Sequence, residues 1–396
     1  MLRILNILPS NHSVPPSADC GGISWLLHGI SNNIDQNKFQ ITLLSIKKGE
    51  SNINDADICY SYHNVPTGFF YKALVRFLKI IPYSVKQRIF FSGSEKKIAR
   101  CLLLAFYARF ICQSDLIITH VYPTLPRALF LFGLNNTKII YYFHGSGYCN
   151  AYSPKVTSFL NDYCKGLITI AKEEIPESLF KGPIKHILNA IDLDEIEAMQ
   201  ANKSRSDKIT NSIIFAGLLV SNKGVKELIL AVQRLVDKDS SVKLFIAGSI
   251  PDNSYKTLKY LDEIKSLASY YPDNIFFLGK VQHKKLISLY PKFQIGALLS
   301  QEREGNSLFL MECISNELPV IASRIGGIPQ IVDENITGLL VTEPKNIDEI
   351  TKKLSRLLYE EDFYQQLKAN TRAVSKNKFS FQRAAHELEE FLSTFN

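Results

Sequence analysis

Short apolar runs alternate with amphipathic stretches along both halves of the chain. Apolar runs of about four to eight residues predict buried strands, and apolar residues at helical spacing predict the helices that cover them. Strands are predicted at 3–8, 39–46, 115–120, 138–143, 167–171 and 185–190, then at 211–217, 243–248, 274–278, 297–300 and 320–322. Helices are predicted at 23–33, 223–236, 256–270, 283–290, 307–318, 346–359, 361–375 and 380–393. This alternation predicts an α/β protein with two Rossmann-like domains and parallel sheets.

The length of the chain and a polar stretch near its middle indicate two domains. A chain of 396 residues is long enough for two domains with separate cores. Residues 195–212 are largely polar and predict a helix and a linker between the domains. Residues 55–68 show no clear period and are predicted to be irregular.

The composition is that of a soluble globular protein, with 46% hydrophobic and 21% charged residues. No apolar run approaches the ~18 to 20 residues of a spanning helix, and the apolar start is interpreted as a first strand rather than a signal peptide. The seven cysteines lack the close spacing of a metal site and their number is odd. They predict reduced thiols in a cytoplasmic protein.

The formal net charge of +8 is concentrated in one segment. Between Pro66 and Cys112 there are nine lysines or arginines, interleaved with aromatic residues, against the single acid Glu95. Such a segment is typical of a helix that adsorbs to an anionic membrane surface. It is equally typical of a core helix pair with a solvated basic face, and both interpretations stay open. Nucleic acid is a poorer candidate partner because no recognition motif accompanies the charge.

The loop and helix after residue 300 predict an anion site. Backbone amides at Asn306, Ser307 and Leu308 open a predicted helix and lack intrahelical acceptors, which suits a phosphate, and Gly305 allows close approach. Two carboxylates flank this position. Glu304 precedes the helix, and Glu312 lies inside it with its side chain leaning towards the helix start. Together these residues predict a pocket for a ligand that carries both hydroxyls and phosphates, such as a nucleotide-sugar.

An ordered set of motifs over about forty residues resembles a known family. It comprises Glu304 and Glu312 with seven residues between them, Pro319–Ser323, Gly326-Gly327 and Gly338–Val341. The set is similar to the signature of retaining GT-B glycosyltransferases of glycosyltransferase family 4, the glycosyl transferases group 1. The resemblance implies a GT-B fold, with two facing Rossmann-like domains and a deep interdomain cleft. It implies an acceptor domain at 1–200, a donor domain at 201–377 and a helix near 378–396 that returns to the first domain.

The resemblance also assigns expected roles to single residues. Glu304 is expected beside the sugar ring as a catalytic or orienting carboxylate, and His144 is expected against the transferred sugar. Lys223 would contact the diphosphate, Glu312 would accept hydrogen bonds from the ribose, and the amides from Gly305 to Leu308 would complete the donor site. The remaining donor-site positions that it implies are Gly21, Gly22, Gly279 and Val281. His120 also ends a predicted strand, and for it we expect a hydrogen-bonded wall residue.

Four departures from the family pattern bear on donor handling. Leu218 stands where an arginine is expected, so one contact to the diphosphate is missing, and Arg303 or Arg324 are candidates to replace it. Asn306-Ser307 replaces a common Phe-Gly, which leaves the amide positions intact. Gln330 replaces a glutamate, and Ala190 replaces a glycine at the domain junction.

The predicted function is that of a retaining glycosyltransferase which moves a sugar from a nucleotide-diphosphate sugar to a glycan or lipid-linked acceptor in bacterial surface polysaccharide biosynthesis. No metal or other cofactor is expected, because no Asp-x-Asp motif ends a predicted strand. A location in the cytoplasm, or on the inner face of the cell membrane, fits this function. A GT-B sugar-nucleotide epimerase and a non-catalytic sugar-nucleotide-binding scaffold stay open as alternatives. An oxidoreductase is disfavoured because no G-x-G-x-x-G follows the first strand.

Overall fold

The computed structural model describes residues 1–8, 13–14, 22–48, 59–90, 94–120, 124–134, 138–144, 154–172, 180–201 and 208–395. Gly21, one of the predicted donor-site residues, lies outside these ranges. The chain divides into two compact units. The first contains Met1–Ala190 and Phe381–Asn396, and the second contains Ile191–Ser380.

A parallel sheet of seven strands forms the centre of the first unit, in the order β5-β3-β1-β6-β7-β8-β9. Two further strands, β2 and β4, pair with each other. The strands are β1 (Leu2–Ile7), β2 (Ser13–Val14), β3 (Phe39–Ser45), β4 (Lys47–Lys48), β5 (Ser61–Asn64), β6 (Leu116–His120), β7 (Lys138–Tyr142), β8 (Gly166–Thr169) and β9 (Ile184–His186). Most of the central strands are buried along their length, as expected for a parallel sheet covered on both faces.

Helices cover both faces of this sheet. In the described chain before residue 190 they are α1 (Gly22–Asn33), α2 (Phe69–Ile80), α3 (Tyr83–Phe90), α4 (Glu95–Phe110), α5 (Thr124–Leu131) and α6 (Pro154–Tyr163). One hydrophobic cluster joins α1 to the sheet, and a second joins α4, α5 and α6 to the other face.

The strand β5 corrects the prediction that residues 55–68 are irregular. Its sequence, Ser-Tyr-His-Asn, has no apolar run, because it forms the edge of the sheet and alternates between exposed and half-buried positions. It pairs with β3 in parallel register from Ser61 to Asn64. The rest of the predicted irregular segment is described only from Cys59 onward.

The second unit contains a six-stranded parallel sheet in the order β12-β11-β10-β13-β14-β15. Its strands are β10 (Ser212–Leu218), β11 (Lys243–Ser249), β12 (Ile275–Gly279), β13 (Ile295–Leu298), β14 (Val320–Ser323) and β15 (Gly338–Val341). Its described helices are α7 (Leu193–Ala201), α8 (Val225–Val236), α9 (Tyr255–Ala268), α10 (His283–Leu289), α11 (Leu308–Ser315), α12 (Ile328–Ile331), α13 (Ile347–Tyr359) and α14 (Glu361–Lys378).

The last helix, α15 (Phe381–Ser393), belongs to the first unit. Its apolar residues join the same hydrophobic cluster as α1. The Glu389 Oε1 atom accepts a hydrogen bond from the Asp35 amide at 2.6 Å, and Glu390 pairs with Lys185 at 3.0 Å. The C-terminal residues thus complete the core of the unit that the N-terminal residues begin.

Both sheets have a topological switch point at their first long strand. In the first unit, β1 lies between β3 and β6, so the chain runs to opposite sides of β1. In the second unit, β10 lies between β11 and β13. Ligands of open α/β sheets bind beyond the carboxyl ends of the strands at such a point. A ligand site is therefore expected near the loops that follow β1, β6 and β7 in the first unit, or β10 and β13 in the second.

Candidate active site

The loop after β10 positions Lys223 at the switch point of the second sheet. A 3-10 turn at Ser221–Lys223 is followed by Gly224, which has a φ of 69° and opens α8. A Cβ atom at Gly224 would lie 1.8 Å from the carbonyl oxygen of Leu299. Glycine is required here both by the left-handed backbone and by the close passage of the loop that follows β13. The two loops are also joined by a hydrogen bond from the Gln301 amide to the Asn222 carbonyl, at 2.8 Å.

Lys223 and Glu304 form an ion pair. The Nζ atom of Lys223 lies 2.5 Å from Oε2 of Glu304, and the Ser300 hydroxyl donates to the same oxygen at 2.9 Å. Both charged side chains are largely but incompletely buried, with 24% of Lys223 and 17% of Glu304 exposed. The lysine predicted for the diphosphate and the carboxylate predicted for the sugar are therefore in direct contact. Ser300, four residues before Glu304, was not identified from the sequence.

The Gly326-Gly327 pair holds the backbone of Glu304. Gly326 has a φ of 56°, and a Cβ atom there would lie 2.2 Å from the Glu304 carbonyl oxygen. The amide of Gly327 donates to that same oxygen at 2.8 Å. A glycine pair at this position allows a ligand, or another part of the chain, to come close to the backbone. In the structure it is the chain itself, at Glu304, that makes the close approach.

The helix α11 begins one residue after the predicted start. Ser307 is its N-cap, with φ −84° and ψ 106°, and its hydroxyl accepts a hydrogen bond from the Leu310 amide at 3.4 Å. The first helical amides, at Leu308 and Phe309, have no acceptor within the helix. Because residues 305–308 directly follow Glu304, the predicted anion site and the Lys223–Glu304 pair share one loop.

Glu312 is a buried carboxylate within α11, whose other residues after Leu308 are also buried. A charged group in such a helix needs polar partners. His283 Nε2 lies 2.7 Å from Oε1 of Glu312, and the Tyr290 hydroxyl donates to Oε2 at 2.9 Å. The hydrogen bond to Glu312 raises the pKa of His283, and burial raises the pKa of Tyr290 well above its ordinary value.

Neither His283 nor Tyr290 was identified from the sequence. His283 is the first residue of α10 and Tyr290 follows its last, so they are seven residues apart. That spacing puts both on one side of the helix. Nothing in the local pattern indicates that this side faces α11.

The other predicted positions of the second unit lie around these groups. Gly279 ends β12 with a φ of 68°, and a Cβ atom there would meet open space. Val281 is half-buried in the short loop that leads to α10 and His283. Leu218, at the end of β10, is 47% exposed. Of the two arginines considered as replacements for the missing arginine, Arg324 forms an ion pair with Glu334.

In the first unit, His144 follows β7 and belongs to a chain of hydrogen bonds. His120 at the end of β6 is fully buried, and its Nδ1 atom lies 2.8 Å from Nε2 of His144. The Nε2 atom of His120 lies 3.1 Å from Oδ1 of Asn6 in β1. Because an amide oxygen only accepts, Nε2 of His120 carries a proton, and in a neutral His120 the Nδ1 atom accepts from His144. The hydrogen bonds expected of His120 are present.

Aromatic stacking holds the His144 ring in the same arrangement. Its centroid lies 4.3 Å from that of Tyr142, at an interplanar angle of 22°, and the His120 ring lies 5.0 Å from it. Asn6 was not identified from the sequence, although a lone amide in a largely apolar strand was a signal. Gly22, the other predicted residue described in this unit, is exposed at the start of α1.

Two features are absent from the residues that the structure describes. Within those ranges, no group of three or more His, Cys, Asp or Glu side chains is arranged to hold a metal ion. Among the described helices, none is both long and apolar enough to cross a bilayer.

Comparison with known proteins adds to this geometry. Residues 197–374 match the model of the family "Glycosyl transferases group 1". The chain is 23% identical over 176 residues to the spore coat protein SA of Bacillus subtilis, a match that covers 44% of this chain and 47% of that protein. It is 29% identical over 181 residues to CapM of Staphylococcus aureus, a capsular polysaccharide biosynthesis glycosyltransferase, covering 46% and 45%. The chain thus spans about half the length of these relatives.

A solved structure resembles the whole chain. The crystal structure of Anabaena Alr3699/HepE in complex with UDP and glucose matches 100% of both chains, with a TM-score of 0.69 and 15% sequence identity. At that identity the likeness concerns the fold. The fold of this protein is therefore GT-B, with two Rossmann-like domains, and its residues 197–374 are similar to the group 1 glycosyl transferases.

Proposed function

We propose that the protein is a retaining glycosyltransferase that uses a nucleotide-diphosphate sugar as its donor. The observation that carries this proposal is the contact between Lys223 and Glu304 at the switch point of the second sheet, on the loop that opens α11. A cation, a carboxylate and helix amides side by side suit a ligand in which a sugar is joined to a diphosphate. The UDP and glucose in the Anabaena protein, which shares the fold, support the same donor class.

The reaction exchanges one bond at the anomeric carbon of the sugar for another. The bond to the diphosphate oxygen breaks, a bond to an acceptor hydroxyl oxygen forms, and the proton of that hydroxyl passes to the departing diphosphate. Negative charge grows on the leaving diphosphate as the bond breaks. Lys223 and the amides from Gly305 to Leu308 stabilise that charge, and preorganised groups are most effective where charge develops. The reaction as proposed uses no metal ion.

Glu304 has two tasks in this proposal. It orients the sugar ring, and it fixes the position of Lys223 through their ion pair. A lysine nitrogen has three donors, so Lys223 can bind a diphosphate oxygen while it keeps its contact with Glu304. Since Leu218 replaces the expected arginine, we assign to Lys223 a larger share of the diphosphate charge than in the family pattern.

Glu312, Gly279 and Val281 receive the nucleoside in this proposal. Each carboxylate oxygen of Glu312 has one hydrogen-bond partner among His283 and Tyr290, and a carboxylate has about four acceptor sites in all. Acceptor capacity therefore remains for ribose hydroxyls. Gly279 and Val281 contact the base through the backbone, with open space beside Gly279.

His144 binds a hydroxyl of the transferred sugar from the first unit, which also binds the acceptor. Gly22 at the start of α1 contributes a backbone amide to donor or acceptor. The name of the Staphylococcus aureus relative supports a growing surface polysaccharide, or its lipid-linked precursor, as the acceptor. The scattered, odd cysteine content supports a cytoplasmic location.

The test is a donor titration followed by product analysis. Titration calorimetry with a panel of uridine and guanosine diphosphate sugars is expected to give one donor that binds wild type, and Lys223→Met is expected to weaken that binding. Incubation with the donor and a lipid-linked acceptor is expected to yield a glycoside of unchanged anomeric configuration. A new sugar nucleotide formed without acceptor would identify an epimerase instead. Binding with no product from any acceptor would favour the scaffold alternative.

A further inference from the structure

The helix α2 has two apolar faces, of which the fold uses one. Leu74, Val75 and Leu78 face inward and pack against α4. On the outward side, Phe69, Ala73, Phe77 and Ile80 recur at helical spacing, with Phe70 beside them. A surface helix of a soluble domain needs an apolar stripe only on its core side. The packing of this unit therefore does not require the outward stripe.

The outward stripe is almost fully exposed. Phe69, Phe70 and Ile80 expose 79%, 80% and 81% of their side chains, and Phe77 exposes 61%. Tyr83, at the start of α3, adds a fifth large side chain with 65% exposed. Phe69 and Phe70 contact each other edge to face, with ring centroids 6.1 Å apart. A contiguous group of exposed apolar side chains of this size marks an interaction surface.

Basic residues border the stripe along the same helix. Lys72, Arg76 and Lys79 are exposed, and none of them forms an ion pair with another described residue. Lys86 is buried and pairs with Glu95, the sole acid between Pro66 and Cys112. The segment carries nine basic residues against one acid, so the surface around α2 is positively charged.

We propose that this surface docks onto an anionic lipid membrane. We call it the aromatic-basic face, and its members are Phe69, Phe70, Phe77, Ile80 and Tyr83 together with Lys72, Arg76 and Lys79. The apolar side chains enter the boundary between headgroups and acyl chains, and the cations pair with lipid phosphates. At about 18 Å, a twelve-residue helix is too short to span a bilayer and lies along its surface.

The chemistry of the face favours lipid over other occupants. Lysine is depleted at protein interfaces, whereas this face alternates cations with protruding apolar groups. A nucleic acid would use the cations and aromatic rings, but Ile80, one of the most exposed members, offers no surface for base stacking. An anionic lipid surface uses both kinds of side chain in the geometry that the helix presents.

The experiment measures sedimentation of the full chain with lipid vesicles. Two kinds are used, phosphatidylcholine alone and phosphatidylcholine mixed with phosphatidylglycerol. Wild type is expected to sediment with the mixed vesicles only. An aromatic variant, Phe69→Ser with Phe70→Ser and Phe77→Ser, and a charge variant, Lys72→Gln with Arg76→Gln and Lys79→Gln, are each expected to bind at least about ten-fold more weakly.

The helix α9 supplies matched controls because it also carries exposed aromatic and basic residues. The aromatic residues are Tyr255 in α9 and Tyr270, two residues after the helix ends, at 80% and 74% exposure. Here Asp262 and Glu263 offset the basic charge. One control replaces both tyrosines by serine, and the other replaces three lysines by glutamine. Both are expected to bind mixed vesicles as wild type does. The control lysines are Lys256, Lys259 and Lys265.

Several outcomes would overturn the proposal. These are equal binding to both kinds of vesicle, unchanged binding by the aromatic or charge variant, and an equal loss in the α9 controls. Concentration-dependent dimerisation of wild type that the aromatic variant abolishes, without vesicle binding, would identify the face as a contact between copies. Thermal unfolding of each variant checks that the fold is intact. The assay reads lipid binding alone, so its result does not depend on whether the protein transfers a sugar.

Discussion

The two sheets carry candidate groups at the same topological position, but the groups differ in chemistry. Beyond the first sheet, an amide and two imidazoles form a chain of hydrogen bonds from Asn6 through His120 to His144. Beyond the second sheet, Lys223 and Glu304 form an ion pair. The hydrogen-bonded chain is formed by side chains in or directly after neighbouring strands. The ion pair lies on loops whose backbone is fixed by glycines.

This difference shows that the topology of the sheets determines where the groups lie but not what they bind. The switch point of a parallel sheet explains why both groups lie at a carboxyl edge. It does not explain the chemistry, which follows from the side chains alone. An ion pair beside helix amides suits a charged diphosphate, whereas linked imidazoles suit a neutral hydroxyl that needs orientation. Substitutions can test these two roles, and the largest effect is expected at Glu304.

Replacing Glu304 by glutamine is expected to cause the largest loss. The change keeps the shape but removes the charge that orients the sugar and holds Lys223. We expect kcat/KM to fall on the order of 10²- to 10³-fold, the scale for loss of one preorganised electrostatic group. Stability is expected to fall by about 1 to 3 kcal/mol, because the pair is largely buried and Lys223 loses its charged partner.

Steady-state kinetics and urea unfolding of Glu304→Gln measure the two quantities. The matched control is Glu302→Gln, which removes an exposed carboxylate from the same loop. A wild-type rate for Glu304→Gln would contradict the role assigned to Glu304.

The loop beneath Lys223 is tested by Gly224→Ala, with Gly279→Ala as its control. Both glycines have positive φ, 69° and 68°, but only Gly224 has a backbone oxygen in the space that a Cβ atom needs. We expect Gly224→Ala to cost about 3 to 4 kcal/mol of unfolding free energy, the sum of a left-handed penalty and a steric clash. Gly279→Ala is expected to cost about 1 to 2 kcal/mol. Urea unfolding compares them, and equal losses would show that the contact with Leu299 is unimportant.

The first-unit chain is tested by His120→Leu. The side chain of His144 loses the partner that orients its ring and sets its proton, so we expect kcat to fall roughly ten-fold, equivalent to one hydrogen bond. The KM for the donor is expected to stay within a factor of about two, because most groups proposed to bind it are in the second unit and His144 contacts one hydroxyl of its sugar. If His120→Leu raised the donor KM and left kcat unchanged, the groups at the two sheets would not have the separate roles proposed for them.

The smallest expected effect is a pH dependence of folding stability, caused by the hydrogen bond between His283 and Glu312. The hydrogen bond with Glu312 raises the folded-state pKa of His283 above its ordinary value of 6.5, with Glu195 adding to the rise and Lys284 opposing it. Its contribution to stability is therefore complete below about pH 6.5 and is lost as the pH rises through the folded-state pKa.

Urea midpoints of wild type and His283→Gln across this pH range measure the effect. Wild type is expected to lose stability with rising pH more steeply than His283→Gln does. His386→Gln is the matched control, since the partner of His386, Glu390, is itself exposed. Parallel slopes for wild type and His283→Gln would contradict the prediction.

Local pattern predicted most of the fold. The apolar runs that became β1, β6, β7, β10 and β13 were recognisable because strands buried on both faces have few polar residues. Edge strand β5 was not, since a half-exposed edge with four polar or aromatic residues has no apolar run. The start of α11 was displaced by one residue because a capping serine belongs to the loop by its backbone angles and to the helix by its hydrogen bond.

The sequence by itself determined the alternation of elements, the signature around Glu304 and Glu312, and the basic character of the segment after Pro66. Only the tertiary structure decided which distant residues the candidate site residues contact. Glu304 meets Lys223 from 81 residues away, His120 meets Asn6 from 114, and Glu312 meets His283 from 29. It also decided that α2 turns one apolar face inward and another outward. The reason is that period and capping are properties of neighbouring residues, whereas contacts between loops depend on the order in which distant strands join a sheet.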